Sequence, residues 1–453
     1  MGFSSSLTQL GGVPELVQMI WILLILNLAS ALIAARKRVL PYAIFSAIFT
    51  VLVVGQAFQM ESDFQSTSIL YYAFSTVSEA GFHRSLWYVL AISLFSLFAC
   101  VLSRGYRKGS QPPPRHHFSP PRSFYVLMVS ALSVIGGILI VGVVGLSAFL
   151  NKSRPGDQSG ATLFITLMSI GLFPLLLKLL LRSRVNLGDV TCFGISLLVT
   201  AGFSRLHVIL YLLILLMTLF YCRGIADRPF NLRVVLGVIS FAGILLVFFF
   251  VVGALRDALN YTHGSIENLI SYNLNHPQTS LLSLHYTYRV SIEGISGLAG
   301  AFSDALWNPW IVHRYYGIDV WFDGLMQMLP SVVKGQMREF VAAVQAAYWY
   351  KKPGGNVSPG IETAYVSFGW LGVAVYPLLF WMVFWKLPLF VLEHRISPLL
   401  RLTAFMLFGC GVFFVRGSWP DWVAFSLSYF IVICVSWGLF GFYVRSDDAK
   451  AQA

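Results

Sequence analysis

An all-α polytopic membrane protein is predicted, on three observations. Hydrophobic residues make up 57% of the 453-residue chain and charged residues 11%, outside the range of soluble domains. The apolar residues fall in long runs, many of them long enough to cross a hydrocarbon core of about 30 Å as helix. Aromatic residues reach 15%, with 12 Trp, as interfacial belts require.

The first run spans about residues 14–35 and is followed at once by Arg36, Lys37 and Arg38. Basic runs stay on the cytoplasmic side, so the N-terminus is expected outside. No small-residue cleavage site follows, so a removed signal peptide is not expected. Alternation then gives spans near 40–59, 86–104, 123–149, 160–181, 190–203, 206–222, 234–254, 363–389, 397–415 and 422–444, about eleven in all, with the C-terminus inside. In this topology 19 of the 31 Lys and Arg, and 5 of the 19 acidic residues, lie inside, a net +14 against −2 outside. The chain's +12 charge is therefore a topology signal, and a nucleic-acid partner is not needed to explain it. Three regions follow: residues 1–254 with eight spans, an external region 255–362, and residues 363–453 with three spans and a cytoplasmic tail.

Between the spans, residues 104–122 (RGYRKGSQPPPRHHFSPPR) form a Pro-rich basic cytoplasmic loop in which helix is excluded. His116 and His117 there lack further ligands, and no metal site is expected. Residues 60–85 carry Glu61, Asp63 and Glu79; the stretch SILYYAFSTV is too short to span, and an interfacial or half-inserted helix is expected. Lys178 and Lys386 lie in apolar runs, both within snorkelling reach of the inner surface. The five cysteines fall in spans or at their ends, so no disulfide framework is implied.

The spans at 190–203 and 206–222 would reach only about 21–25 Å as helix, so their connection, Gly202-Phe203-Ser204-Arg205, is expected to sit below the outer surface. A guanidinium there lines a wet cavity, meets an anion, or snorkels to the headgroups. The external region is too long for a plain connection and should carry structure of its own. Helical periodicity runs through Ile266, Leu269 and Ile270 and again from Leu281 to Phe302; Trp307, Trp310, Trp321 and Trp349 follow, a composition suited to headgroups or sugar rings.

Threading the chain this way gathers Arg205, Arg289 and Arg416 on the outer face, where arginine should be scarce. Three cations there point to an anionic lipid-borne substrate, a diphosphate first among candidates. In LHYTYRVSIEG, His285, Arg289 and Glu293 share one helical stripe at i, i+4, i+8; they could hold a phosphate and deprotonate a neighbouring hydroxyl, or form a solvated face with a weak ion pair. Arg416 and Asp421 edge the turn in FVRGSWPDW; they pair with each other, or Arg416 turns inward toward Arg205. Pro359 and Gly360 mark a helix start or a bend, with Glu362 in the first turn as a dipole-favoured acid or a catalytic one. No P-loop, nucleophile elbow, HExxH or metal-spaced acidic cluster occurs, and Gly136–Gly145 lies inside an apolar run. No cofactor is expected.

Taken in order, GFSRLHVILYLLIL in a helical hairpin, TYRVSIEG in a large external loop, SPGIETAYVSFGWLGVAVYPLLF after it, and FVRGSWPDW before the last span resemble the Wzy-type oligosaccharide repeat-unit polymerases, which include O-antigen and enterobacterial common antigen polymerases. The matched segments cover about half the chain, mainly 190–445; residues 1–180 match in hydropathy alone. The resemblance implies an inverting, metal-independent glycosyltransferase in the bacterial inner membrane with its site facing the periplasm. Donor and acceptor would be undecaprenyl-diphosphate-linked oligosaccharides, and a chain-length regulator and a flippase would be partners. By position, Arg205, Arg289 and Arg416 become diphosphate ligands, and Glu293, His285, Glu362 and Asp421 the candidates for general base. Some relatives carry an acid directly after the last-loop arginine, where this chain has Gly417. An O-antigen ligase shares the architecture and donor. A lipid-linked oligosaccharide flippase would instead show internal repeats and charges along a central path, and a non-catalytic scaffold would tolerate loss of the external arginines.

Overall fold

A computed structural model describes residues 15–65, 67, 69–72, 75–106, 131–139, 169–180, 185–203, 205–222, 266–276, 294–307, 325, 360–394, 398–420 and 422–434. His285, Arg289, Glu293, Asp421, the run 234–254 and nearly all of the Pro-rich loop lie outside these residues. What is described is helical except for one two-stranded hairpin. Helices α1 (Glu15–Arg36), α2 (Leu40–Phe64), α3 (Glu79–Leu102) and α10 (Gly360–Glu393) are each long and apolar enough to cross a membrane. The others are α4 (131–139), α5 (Ser169–Leu180), α6 (Leu187–Phe203), α7 (Arg205–Cys222), α8 (Ile266–Asn275), α9 (Ile295–Trp307), α11 (Pro398–Gly409), α12 (Gly411–Arg416) and α13 (Trp422–Cys434).

The outer faces of the long helices are apolar. Trp21, Ile25 and Leu32 project from α1, Phe95, Phe98 and Leu102 from α3, and Leu371, Leu378 and Phe390 from α10. Leu102 is 69% and Leu371 73% exposed. A water-soluble protein does not present apolar surface on that scale; in lipid it is the face that belongs outward. The protein is membrane-embedded, and polar groups turn inward. Asn27 of α1 donates to its own Leu23 carbonyl at 2.8 Å and to Ser93 Oγ of α3 at 2.9 Å, a buried clamp between the two helices.

One end of the bundle is tied by Lys37. Its Nζ donates to the carbonyls of Cys100, Val101 and Ser103 at 2.9, 2.8 and 2.6 Å. Those carbonyls end α3, and the cation meets the negative end of its dipole. Beside it, Arg38 adopts φ of 62° to reverse the chain into α2, and its carbonyl accepts from Tyr221 of α7 at 3.1 Å. Trp381 and Trp385 of α10 donate to Ser103 Oγ and the Arg104 carbonyl at 2.6 and 2.9 Å, and Arg104 pairs with Glu393 at 2.8 Å. The ends of α1, α3, α7 and α10 that alternation puts on one side do meet.

At the opposite end the stretch expected as an interfacial helix is a β-hairpin. Strands β1 (Ile69–Tyr72) and β2 (Ser75–Ser78) pair antiparallel with Leu70 opposite Val77, and both of these side chains are buried. The reason is local: β1 is Ile-Leu-Tyr-Tyr and β2 carries Thr76 and Val77, aromatic and β-branched residues that suit a pleat, with the paired Leu70 and Val77 on its covered face. Ser78 then caps α3, its hydroxyl accepting from the Gly81 amide at 3.1 Å. The helix therefore starts well before the apolar run.

Helix α9, from the expected external region, is packed inside the bundle. Every residue from Gly294 to Ser303 is buried. Gly81 of α3 lets it approach, since a methyl there would strike Ser303 Oγ and lie 2.8 Å from the Ala299 carbonyl. Its start sits beside Leu52, the midpoint of α2: a methyl on Gly294 would meet the Leu52 carbonyl. The buried Gln56 side chain accepts from the amides of Gly294 and Ser296 at 3.0 and 2.9 Å, satisfying two donors that a helix start leaves over. Gln56→Met is expected to strand both amides in an apolar setting at a cost of about 1–3 kcal/mol, read as a lower Tm of the detergent-purified protein with unchanged elution volume. An unchanged Tm would remove Gln56 from this role.

Candidate functional site

The site is built where three helix ends meet. Gly360 opens α10 against α12, and a Cβ there would collide with the Phe414 carbonyl. Two residues C-terminal to each partner of that contact lie Glu362 and Arg416. Glu362 is fully buried in the first turn of α10, where the helix dipole favours an anion. Arg416, partly buried, is the last residue of α12, where the dipole favours a cation. Each charge complements its own helix, and the packing of the two ends draws them into one neighbourhood. A buried carboxylate is costly unless compensated, and this junction of helix ends is where compensation is available.

The third end is that of α7. Arg205 is its first residue; His207, two residues on, has its ring 5.6 Å from Phe413 of α12 and 5.0 Å from Phe425 of α13. The start of α7 therefore adjoins the end of α12 that carries Arg416. The connection is tighter than the sequence suggests: α6 runs to Phe203 and α7 begins at Arg205. At 17 and 18 residues, the two helices reach about 26–27 Å, longer than expected because α6 starts at Leu187 and takes in Asp189.

Aromatic rings wall this junction. Trp419 is fully buried and stacks at 5.7 Å on Phe414 and at 6.4 Å on Tyr376, with Phe368 at 6.2 Å. Trp422 meets Phe414 edge-on at 5.3 Å. Such rings bury large apolar area with fixed geometry, which holds the helix ends in register. Of the candidate residues, Arg205, Glu362 and Arg416 thus belong to elements that meet, while His285, Arg289, Glu293 and Asp421 lie outside the described residues. Among the described residues no group of three or more His, Cys, Asp or Glu could hold a metal ion.

Sequence reasoning missed His207 and Gln56. For His207 the signal was present: it stands in the same short hairpin as Arg205 and four residues before Tyr211, on one helical face. For Gln56 it was weak, a lone amide in an apolar run. Lys178 is a correction. It does not snorkel; its Nζ lies 2.8 Å from Asp189 Oδ2, and both side chains are fully buried. Asp189 also accepts from the Asn186 amide at 2.8 Å; this cap starts α6 and brings the carboxylate under α5. Lys386, in contrast, is exposed and lies over the Trp381 ring at 4.8 Å.

Compared with protein-family models, with curated proteins and with solved structures, the chain matches none.

Proposed function

We propose that this chain is a polysaccharide polymerase: an inverting, metal-independent glycosyltransferase of about eleven spans in a bacterial inner membrane, its N-terminus and active site on the periplasmic side and its C-terminus inside. It joins undecaprenyl-diphosphate-linked oligosaccharide repeat units. The observation that carries this reading is the meeting of the start of α7 at Arg205, the start of α10 at Glu362 and the end of α12 at Arg416 at one end of a lipid-embedded bundle.

The chemistry asks for what such a junction offers. An acceptor sugar hydroxyl attacks the anomeric carbon of the donor as its bond to the diphosphate oxygen breaks. The hydroxyl proton passes to a base, and inversion needs no covalent intermediate. Charge develops on a lipid diphosphate, and Arg205, Arg289 and Arg416 are the groups suited to neutralise it, since guanidinium pairs with phosphate oxygens in bidentate fashion. Glu293, His285, Glu362 and Asp421 remain the candidates for the base.

The test is the glycan profile of a strain lacking the chain, complemented with wild type or Arg205→Ala at matched membrane levels. Collapse of the surface ladder to single repeat units is the expected result. Loss of all surface glycan with lipid-linked polymer accumulating would identify a ligase instead. An unchanged ladder would overturn the assignment of Arg205.

A further inference from the structure

The end of the bundle tied by Lys37 is basic. Arg36, Lys37 and Arg38 join α1 to α2, Arg104 follows α3, and Lys386 lies late in α10; Glu393 is the acid of these stretches. Two of the cations have partners in the protein: Lys37 is bound to three carbonyls, and Arg104 pairs with Glu393. Lys386 differs. It is exposed, its Nζ lies 4.8 Å from the centre of the Trp381 ring, and it meets no carboxylate among the described residues.

A local widening of the helix makes the contact with Trp381. In an α-helix, residues five apart point roughly 140° away from each other. Met382–Lys386 form a π turn, with the Leu387 amide donating to the Met382 carbonyl, and the extra residue swings Lys386 back over Trp381. Such turns are rare and recur at functional sites. Trp381 is itself fixed, its Nε1 donating to Ser103 Oγ at 2.6 Å, and Trp385 donates to the Arg104 carbonyl at 2.9 Å. Lys386 and Arg104 therefore stand on one seam, where the end of α3 meets α10.

The surface that leads up to this seam is apolar. Leu378 and Met382 precede Lys386 at four-residue spacing, and Phe98 and Leu102 precede Arg104 on α3; all four are exposed. Cations that top two apolar stripes complement an anionic amphiphile, with charge at headgroup level and hydrocarbon alongside. An ammonium facing hydrocarbon is costly, and basic positions between membrane helices take anionic lipid headgroups. The Arg104 side chain is 57% exposed and spends one N–H donor on Glu393, of the five a guanidinium carries.

We propose that this seam is a binding site for one anionic phospholipid. The phosphodiester pairs with the Lys386 ammonium and takes a second donor from Arg104, which Glu393 holds in place. The acyl chains lie on the Leu378–Met382 and Phe98–Leu102 stripes.

The site is tested by titrating phosphatidylglycerol into the purified full chain in detergent and following Tm, which rises with any ligand that binds the folded state. Phosphatidylcholine with the same acyl chains, and inorganic phosphate, are expected to raise it far less. Lys386→Gln and Arg104→Gln should each move the half-maximal lipid concentration up about fivefold, the loss of one cation near the surface. Arg84→Gln removes an exposed cation near the start of α3 and should leave the midpoint unchanged. Elution volume and Tm without added lipid show that each variant is folded. Phosphatidylcholine or phosphate acting like phosphatidylglycerol, either seam variant at the wild-type midpoint, or Arg84→Gln shifting it as far, overturns the proposal. The outcome is independent of the glycan profile, because no sugar substrate is present.

Discussion

Replacing Glu362 with Gln is expected to abolish polymer formation while leaving the protein folded. The substitution keeps the volume and the hydrogen-bonding length of a fully buried side chain at the head of α10 and removes its charge. If Glu362 serves as the base, the loss is that of general-base catalysis, about 10²–10⁴-fold. On the proposed function Arg416 is a donor to the developing diphosphate charge, and Arg416→Ala is expected to lose about 10²–10³-fold. The two should be non-additive, since residues that act as a unit lose most of the rate with the first deletion. The measurement is in-vitro extension of lipid-linked repeat units by each variant and by the double variant. Full activity of Glu362→Gln would make this acid a helix-start residue and leave the base among Glu293, His285 and Asp421. Full activity of Arg416→Ala would undo the helix-end junction as the donor site.

The second large effect concerns stability. Lys178→Met leaves Asp189 charged and fully buried without its cation, and Asp189→Leu leaves Lys178 in the same position. Either is expected to destabilise by about 3–5 kcal/mol, whereas replacing both with apolar residues of similar volume should be close to neutral. Asp189→Leu carries an additional loss, the Asn186 cap at the start of α6. Thermal unfolding in detergent reads all three variants. A double variant no better than the singles would show that the pair is not the main term. A Lys178→Met variant as stable as wild type would mean that the charge is relieved by another route.

Much of this architecture was legible because lipid imposes a simple rule on a chain. Backbone polar groups must be satisfied within each segment, so apolar runs become helices and basic runs mark the ends that share a side. The starts and stops of α1 and α2 follow within a few residues, and Gly360 does open α10. The hairpin at 69–78 was not legible, because a short apolar stretch rich in aromatic and β-branched residues suits a half-inserted helix and a strand alike until a covered face exists to choose. The burial of α9 was hidden for a related reason. Its small residues read as an amphipathic surface segment, yet Gly81, Gly294 and Ser303 are what allow close backbone contact with α2 and α3. Arg205, Glu362 and Arg416 stood out as candidates by their residue type and their place at the ends of apolar runs, and the helix ends that carry them meet. His207 was passed over for want of a formal charge, although its place in the Arg205 hairpin, four residues before Tyr211, was visible in the sequence.

By itself the sequence determined that this protein lives in lipid, which stretches become helix, and where charge gathers along the chain. Those are properties of single segments, set by hydrophobic length and by the cost of exposing backbone polar groups to hydrocarbon. Tertiary structure alone decided that Gly360 meets Phe414, that Lys178 meets Asp189, and that Tyr429 of α13 meets Tyr211 of α7. Each of these depends on which helix faces lie together and at what height. Hydropathy is nearly uniform around an apolar helix, so the sequence cannot specify that choice; close packing of small residues and the need to pair every buried polar group make it.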